Sequence, residues 1–187
     1  MADGLYYNDC RPPWPNDVAG VDITLSTTDK AILSPSQLPV LGGNYFNYVG
    51  KKVKFRMFGK ITTAATPGNG TWDIYYGDGT DANGTVLGSS AAKALQANQT
   101  TLSWVMEFVV TCTLTGSTGK LAVSGWCIWN VAVMLSTAQP QLIPDSALVT
   151  SAAIDLTASK IISPQFKRSG STAEHMWCQD WEFYALN

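Results

Sequence analysis

The sequence predicts an all-β protein: an antiparallel β-sandwich, jelly-roll-like, of about eight strands with an extended N-terminal arm. Three observations predict it. Apolar and polar residues alternate with a period of two in several separate segments. No long segment carries apolar residues at i, i+3, i+4 and i+7, as a helix face would. Clusters of Gly, Pro, Asn and Asp recur between the alternating segments, as at Thr66-Pro67-Gly68-Asn69-Gly70, Asp78-Gly79, Asn83-Gly84 and Ser169-Gly170.

Residues 1–20 come first and stand apart. Tyr6, Tyr7, Cys10, Pro12, Pro13, Trp14 and Pro15 show no periodicity, and proline forbids a central strand, so this stretch reads as an extended arm. Water is a poor environment for its three rings, so the arm is expected to pack on its own domain or on a neighbour. Residues 21–187 form the sandwich domain. A short strand is expected at Val21 to Ser26. Next, Val53, Phe55 and Met57 alternate with Lys52, Lys54 and Arg56, giving one apolar and one basic face. Short strands follow at Gly70 to Tyr76 and Thr85 to Ser89. From Leu102 through Trp104, Met106, Phe108 and Val110 to Cys112 the alternation is sustained, with Ser103, Glu107 and Thr111 opposite.

The strand from Leu121 to Val133 differs. Its second face, with Trp126, Ile128, Ala132 and Met134, is also apolar, and a strand apolar on both sides is usually covered on both sides. A second sheet inside and a neighbouring subunit outside would meet that need. Residues 136–149, with Pro140, Ile143 and Pro144, read as a long loop. Short strands are expected at Ala153 to Thr157 and at His175 to Leu186. In the last of these, Trp177, Trp181 and Phe183 are expected on one face, with Tyr184 and Leu186 on the other.

Composition narrows the function. Among 187 residues, hydrophobic types make up 45 % and charged types 14 %, with a net charge of −2. A chain this apolar is not a disordered polyelectrolyte. It also has no basic excess to neutralise phosphates, so no nucleic-acid partner is expected. The longest apolar-looking stretch, residues 125–135, falls short of the roughly 20 residues of a membrane-spanning helix. The start has no basic region followed by an apolar run, so a soluble protein made without an export signal is expected. So few charges protect a lone domain poorly from self-association, which points to a surface that is covered in use. None of the four cysteines sits in a CxxC pair; Cys112 and Cys127 read as small buried hydrophobes, with a bridge between them left open.

Residues for catalysis are few. The one histidine, His175, lies three positions before Cys178, which places the two on opposite faces of a strand. Phosphate-binding, zinc-protease and serine-hydrolase signatures are missing from the sequence. The stretch Asp78 to Gly84 lacks the first and last carboxylates of a calcium loop and reads as a polar hairpin connection. Asp73, Glu107, Asp180 and Glu182 are all expected on strands, and only coordinates can show whether any two converge as a hydrolase pair. No enzyme activity, catalytic residue, cofactor or metal is therefore expected. The richest feature is aromatic: seven Trp, seven Tyr and six Phe, which fill cores, bind sugars or form interfaces. Tyr6, Tyr7, Trp14, Trp126 and Ile128 are the interface candidates.

The stretch Val49-Gly50-Lys51-Lys52-Val53-Lys54-Phe55-Arg56-Met57-Phe58-Gly59-Lys60-Ile61-Thr62-Thr63, followed by Ala65-Thr66-Pro67-Gly68 and Thr71-Trp72-Asp73-Ile74, resembles virion structural proteins of tailed bacteriophages. These are the small jelly-roll proteins that serve as capsid decoration, head-fibre or minor tail components. The likeness runs over residues 21–187 by pattern more than identity, and it leaves out the arm. It implies a structural role in the virion, assembled in the host cytoplasm, with a homotrimer as the common state. The major capsid protein or another virion protein is the implied partner. A carbohydrate-binding module or receptor-binding tail protein, with surface glycans as partner, is the alternative reading.

Overall fold

A computed structural model describes residues 23–134, 140–170 and 174–186. They form twelve strands: β1 (Ile23–Thr24), β2 (Lys30–Ala31), β3 (Val40–Leu41), β4 (Lys52–Thr62), β5 (Asn69–Gly77), β6 (Thr85–Ser89), β7 (Lys93–Ala94), β8 (Leu102–Leu114), β9 (Lys120–Trp129), β10 (Gln141–Ile143), β11 (Lys160–Arg168) and β12 (His175–Leu186). They build two open, antiparallel, six-stranded sheets. The first has the order β1-β12-β4-β8-β9-β10. In the second, β2 and β3 lie on one side of β11, and β5 lies on the other with β6 and β7 beyond it.

The long strands follow the alternation in the sequence. In β4, Val53, Phe55, Met57 and Ile61 are fully buried while Lys52, Lys54, Arg56 and Lys60 face outward. Gly59 takes the remaining inward position, because a Cβ there would lie 2.3 Å from the Trp104 ring. The two sheets meet through aromatic rings. Trp72 of β5 stands edge-on to Trp104 of β8 at 5.2 Å and to Phe166 of β11 at 4.9 Å, while Trp129 of β9 is 5.6 Å from Phe166. Rings of this size bury about 150–250 Å² each, so this cluster is a large apolar contribution at the sheet interface.

Polar side chains fasten the seams. Gln141 accepts from the Trp129 indole at 2.9 Å and donates to Ser90 Oγ at 2.9 Å and the Ala91 carbonyl at 2.5 Å, tying β10 to the second sheet. At the crossover from β11 to β12, the buried guanidinium of Arg168 pairs with the buried carboxylate of Glu174. Arg168 also donates to the carbonyls of Gly170 and Leu25.

Several expectations need correcting. Five of the twelve strands were not expected: β2, β3 and β7 are two residues long and β10 three, too short to show a period, and β11 is the fifth. The segment Ala153 to Thr157 is no strand; it makes a single bridge, Ile154 to Gly119. The strand expected to run to Val133 stops at Trp129, where Asn130 caps a 3-10 turn over Val131–Val133. Ala132 therefore sits in that turn, and Met134 is buried in a bridge to Leu95. Trp177 and Trp181 do not share a face: register shifts between Cys178 and Asp180, a bulge that reverses the side-chain phase. The loop expected at 136–149 contains β10.

β11 went unread because of Pro164, which lacks the N–H a central strand needs. Its carbonyl accepts from Ile32 N–H at 3.3 Å, so its backbone polar side faces the gap between β2 and β3 and not β5. The missing donor falls where no strand pairs.

Candidate functional site

The outer face of the first sheet is where the described residues place the interface candidates. Trp126 and Ile128 are two apart on β9, so both point outward from the same face. Cross-strand register extends the apolar surface from them. Ile128 lies opposite Val105, and Val105 opposite Phe58. On the other side, Leu142 of β10 lies opposite Trp126. Ile128 is 43 % exposed and Leu142 53 %, while Trp126, Val105 and Phe58 are half-buried. The result is an apolar band that crosses four strands of the sheet.

Charges border it. In the next cross-strand row, Trp126 is followed by Glu107, Arg56 and Glu182. Lys54 pairs with Glu107 at 2.9 Å, and the Arg56 guanidinium lies 4.8 Å from the centre of the Phe58 ring. Tyr184 donates to Glu182 at 2.6 Å. These contacts hold the charged side chains down onto the sheet, where they border the band and Arg56 lies over the Phe58 ring. An apolar patch with a charged border is suited to burial against another apolar surface with a polar rim.

The other interface candidates, Tyr6, Tyr7 and Trp14, lie outside the described residues, as does the arm of residues 1–20. Val105, Phe58 and Leu142 escaped the sequence reading. Val105 and Phe58 sit on faces that Glu107 and the β4 lysines mark as polar, and β10 is too short to show alternation. The only signal for them is register, which the sequence does not supply.

The carboxylates separate by sheet. Glu107, Asp180 and Glu182 face outward on the first sheet, and Asp73 is buried on the second. There Asp73 accepts from Lys167 at 2.6 Å and from Ser89, while Asp29 accepts from Tyr75 at 2.8 Å and from Lys167 at 3.3 Å. Burial and the adjacent Asp73 carboxylate raise the Asp29 pKa. The same acids hold the Lys167 ammonium above its ordinary value, against the opposing effect of its partial desolvation. In the hairpin after β5, Asp78 accepts from the Thr80 backbone at 2.9 Å and from Asn83 Nδ2 at 2.6 Å. Hydrogen bonds from Thr80 lower its pKa, so its oxygens serve the turn itself.

Cys112, Cys127 and Cys178 are free and buried. Cys112 lies opposite Leu121 and Cys127 opposite Met106, so the two are on adjacent strands but far out of register. Burial pushes the Cys178 thiol up to about 12, which keeps it protonated and unreactive at neutral pH. Among the described residues, no three His, Cys, Asp or Glu side chains converge as a metal site, and no helix is long and apolar enough to cross a membrane.

No protein-family model matches the sequence, and no curated protein matches it.

Proposed function

We propose that the chain is a structural component of a phage virion: a capsid decoration protein with a jelly-roll sandwich that binds the head surface as a symmetric oligomer and stabilises it. The resemblance over residues 21–187 supplies the class. The observation that carries the role is the band of Trp126, Ile128, Val105, Phe58 and Leu142 on the outer face of the first sheet, with Ile128 and Leu142 exposed. The mechanism is mechanical. Apolar burial at copy-to-copy and copy-to-capsid contacts resists outward pressure, and cyclic symmetry multiplies each weak contact. The role includes no reaction, so the chain is proposed as a non-enzyme acting in the virion.

Light scattering on the purified chain, then co-sedimentation with undecorated particles, tests this reading. A mass near three times the 20.1 kDa chain with saturable co-sedimentation is expected. A monomer that leaves particles unoccupied would refute it.

One observation favours a second reading, a glycan-binding or receptor-binding tail protein. Trp126, Phe58 and Trp177 share the outer face with Lys60, Asp180 and Glu182, and half-buried rings beside polar groups also suit sugars. Retention of the monomer on a glycan surface would select that reading.

A further inference from the structure

The second sheet brings one lysine amine against two carboxylates. Lys167 of β11 and Asp73 of β5 lie on its outer face. Lys167 is opposite Thr71 and Asp73 opposite Gln165, so the two are diagonal neighbours on adjacent strands. Lys167 Nζ is 2.6 Å from Asp73 Oδ2 and 3.3 Å from Asp29 Oδ2. Asp29 arrives from the other side of β11, one residue before β2, where Lys30 lies opposite Phe166. Both carboxylates are buried, while the Lys167 side chain is partly exposed.

This is more acid than one ammonium needs. The site holds one positive and two negative groups, and Asp29 Oδ1 is buried with no hydrogen-bond partner among the described residues. A bare buried carboxylate oxygen is costly unless it takes up a proton. Burial and the Asp73 carboxylate raise the Asp29 pKa in keeping with that. The site therefore holds in contact an amine, a carboxyl group it can attack and a second carboxyl group able to carry protons between them.

We propose that Lys167 and Asp73 join covalently, Lys167 Nζ forming an amide bond with Asp73 Cγ while one Asp73 carboxyl oxygen leaves as water. Asp29 takes a proton from the Lys167 ammonium, which frees the nitrogen lone pair, and passes it to Asp73, which becomes the neutral acid and so an electrophile. Nζ adds to Cγ, and the carbonyl π pair moves onto oxygen. A second proton passes from nitrogen through Asp29 to the departing hydroxyl, the C–O bond breaks with its electron pair on oxygen, and the carbonyl re-forms. Ammonium plus carboxylate has become amide plus water, Asp29 is as it began, and no oxidant or other reactant is consumed. The Ser89 hydroxyl donates to Asp73 Oδ1, which holds the carboxyl and stabilises the oxygen that gains charge. Tyr75 fixes Asp29 by donating to it at 2.8 Å. Contact between amine and carboxyl supplies the proximity that free lysine and aspartate lack in water. Because the acids also favour the ammonium, the neutral amine is scarce and the bond forms slowly after folding, starting from the ion pairs. The step occurs once per chain and turns over no external substrate. It would tie β5 to β11 through residues 94 positions apart.

The intact mass of the full chain under denaturing conditions, followed over a week at neutral pH, tests this. The parent chain is expected to become lighter by one water, and peptide mapping to find the peptides of Asp73 and Lys167 joined within one chain. Lys167→Arg, which keeps the positive charge, is expected to retain the full mass. Asp29→Asn, which cannot carry the proton, is expected to lose water at least tenfold more slowly. A parent chain that keeps its full mass would overturn the proposal. So would a water loss confined to one peptide, as an internal succinimide would give, or one that persists in Lys167→Arg. Equal rates in the parent and Asp29→Asn chains would refute the proton-carrying role of Asp29. The mapping of the parent chain is decisive whether or not a variant folds, and it is read on single chains, so it stands apart from particle binding.

Discussion

The two sheets treat their outer faces in opposite ways. The outer face of the second sheet is polar in sequence, with Asp73, Ser163, Gln165 and Lys167, yet it is covered by the chain itself. Loop residues close over it: Ala82 N–H donates to Gln165 Oε1 at 2.7 Å, Gln165 Nε2 donates to the Thr80 carbonyl at 2.9 Å, and Asp29 reaches Tyr75 and Lys167. Asp73, Ser163 and Gln165 end up 2 % exposed or less. The outer face of the first sheet carries Trp126, Ile128, Val105 and Phe58, and no described loop covers it. Burial here follows hydrogen-bonding opportunity more than hydropathy. A polar face can be sealed by the chain's own backbone groups, whereas an apolar face needs another apolar surface.

The largest expected difference comes from removing a carboxylate from each face. On the covered face, Asp73→Ala leaves the Ser89 hydroxyl without its acceptor and leaves the partly exposed Lys167 with Asp29 alone, so a loss of about 1–3 kcal/mol is expected. On the open face, Glu107→Ala removes a partly exposed partner of Lys54 and should cost about 0.2–1 kcal/mol. Urea unfolding of both variants measures this, and similar losses would erase the contrast between the faces.

A smaller effect is expected at Asp29, and its sign follows from linkage. Burial and Asp73 raise its pKa in the folded state. The folded state therefore binds this proton more tightly than the unfolded state does. The associated stability is full below the ordinary aspartate value of 3.8 and declines as pH rises through the raised value. Asp29→Asn keeps the shape, still accepts from Tyr75 and cannot ionise. Its unfolding midpoint relative to the parent chain is expected to rise as pH increases from about 4 to neutrality, then level off. A pH-independent offset between the two chains would mean that Asp29 ionises freely and that this face is wetter than its contacts imply.

The faces also differ in how legible they were. β4 and β8 can be read from alternation, because each keeps one face apolar for nine residues or more, whereas β12 alternates only on either side of its bulge. Trp126 and Ile128 were readable as outward and apolar for the same reason. The rest of the band was not: Val105 and Phe58 join it only through the pairing of β8 with β4 and β9, and Leu142 through a three-residue strand. The bulge near Gln179 leaves no mark in composition, yet it sends Trp177 outward and Trp181 inward. The polar cover over the second sheet depends on contacts such as Lys167 with Asp29, 138 positions apart, which no local pattern encodes.

The smallest effect on stability is expected where the effect on assembly is largest. Ile128→Lys puts an ammonium in the middle of the apolar band, at a side chain that is 43 % exposed and faces away from the core. The long lysine stem can lie along the sheet with its charge in water, so the folded monomer should change by no more than about 0.5 kcal/mol. Any partner seated on the band must instead desolvate that charge or leave a gap, and charged residues are depleted at interface centres for that reason. The unfolding midpoint should therefore stay near that of the parent chain, while scattering mass falls to the monomer and particle occupancy drops tenfold or more. Trp126→Ala checks the same surface from its other side by removing contact area without adding charge, and a weaker loss of occupancy is expected. If Ile128→Lys assembles as the parent does, this face is free in use and the band is not the contact. If it lowers the midpoint by several kcal/mol, the outer face is already packed within the monomer, and the contrast between the two sheets fails there.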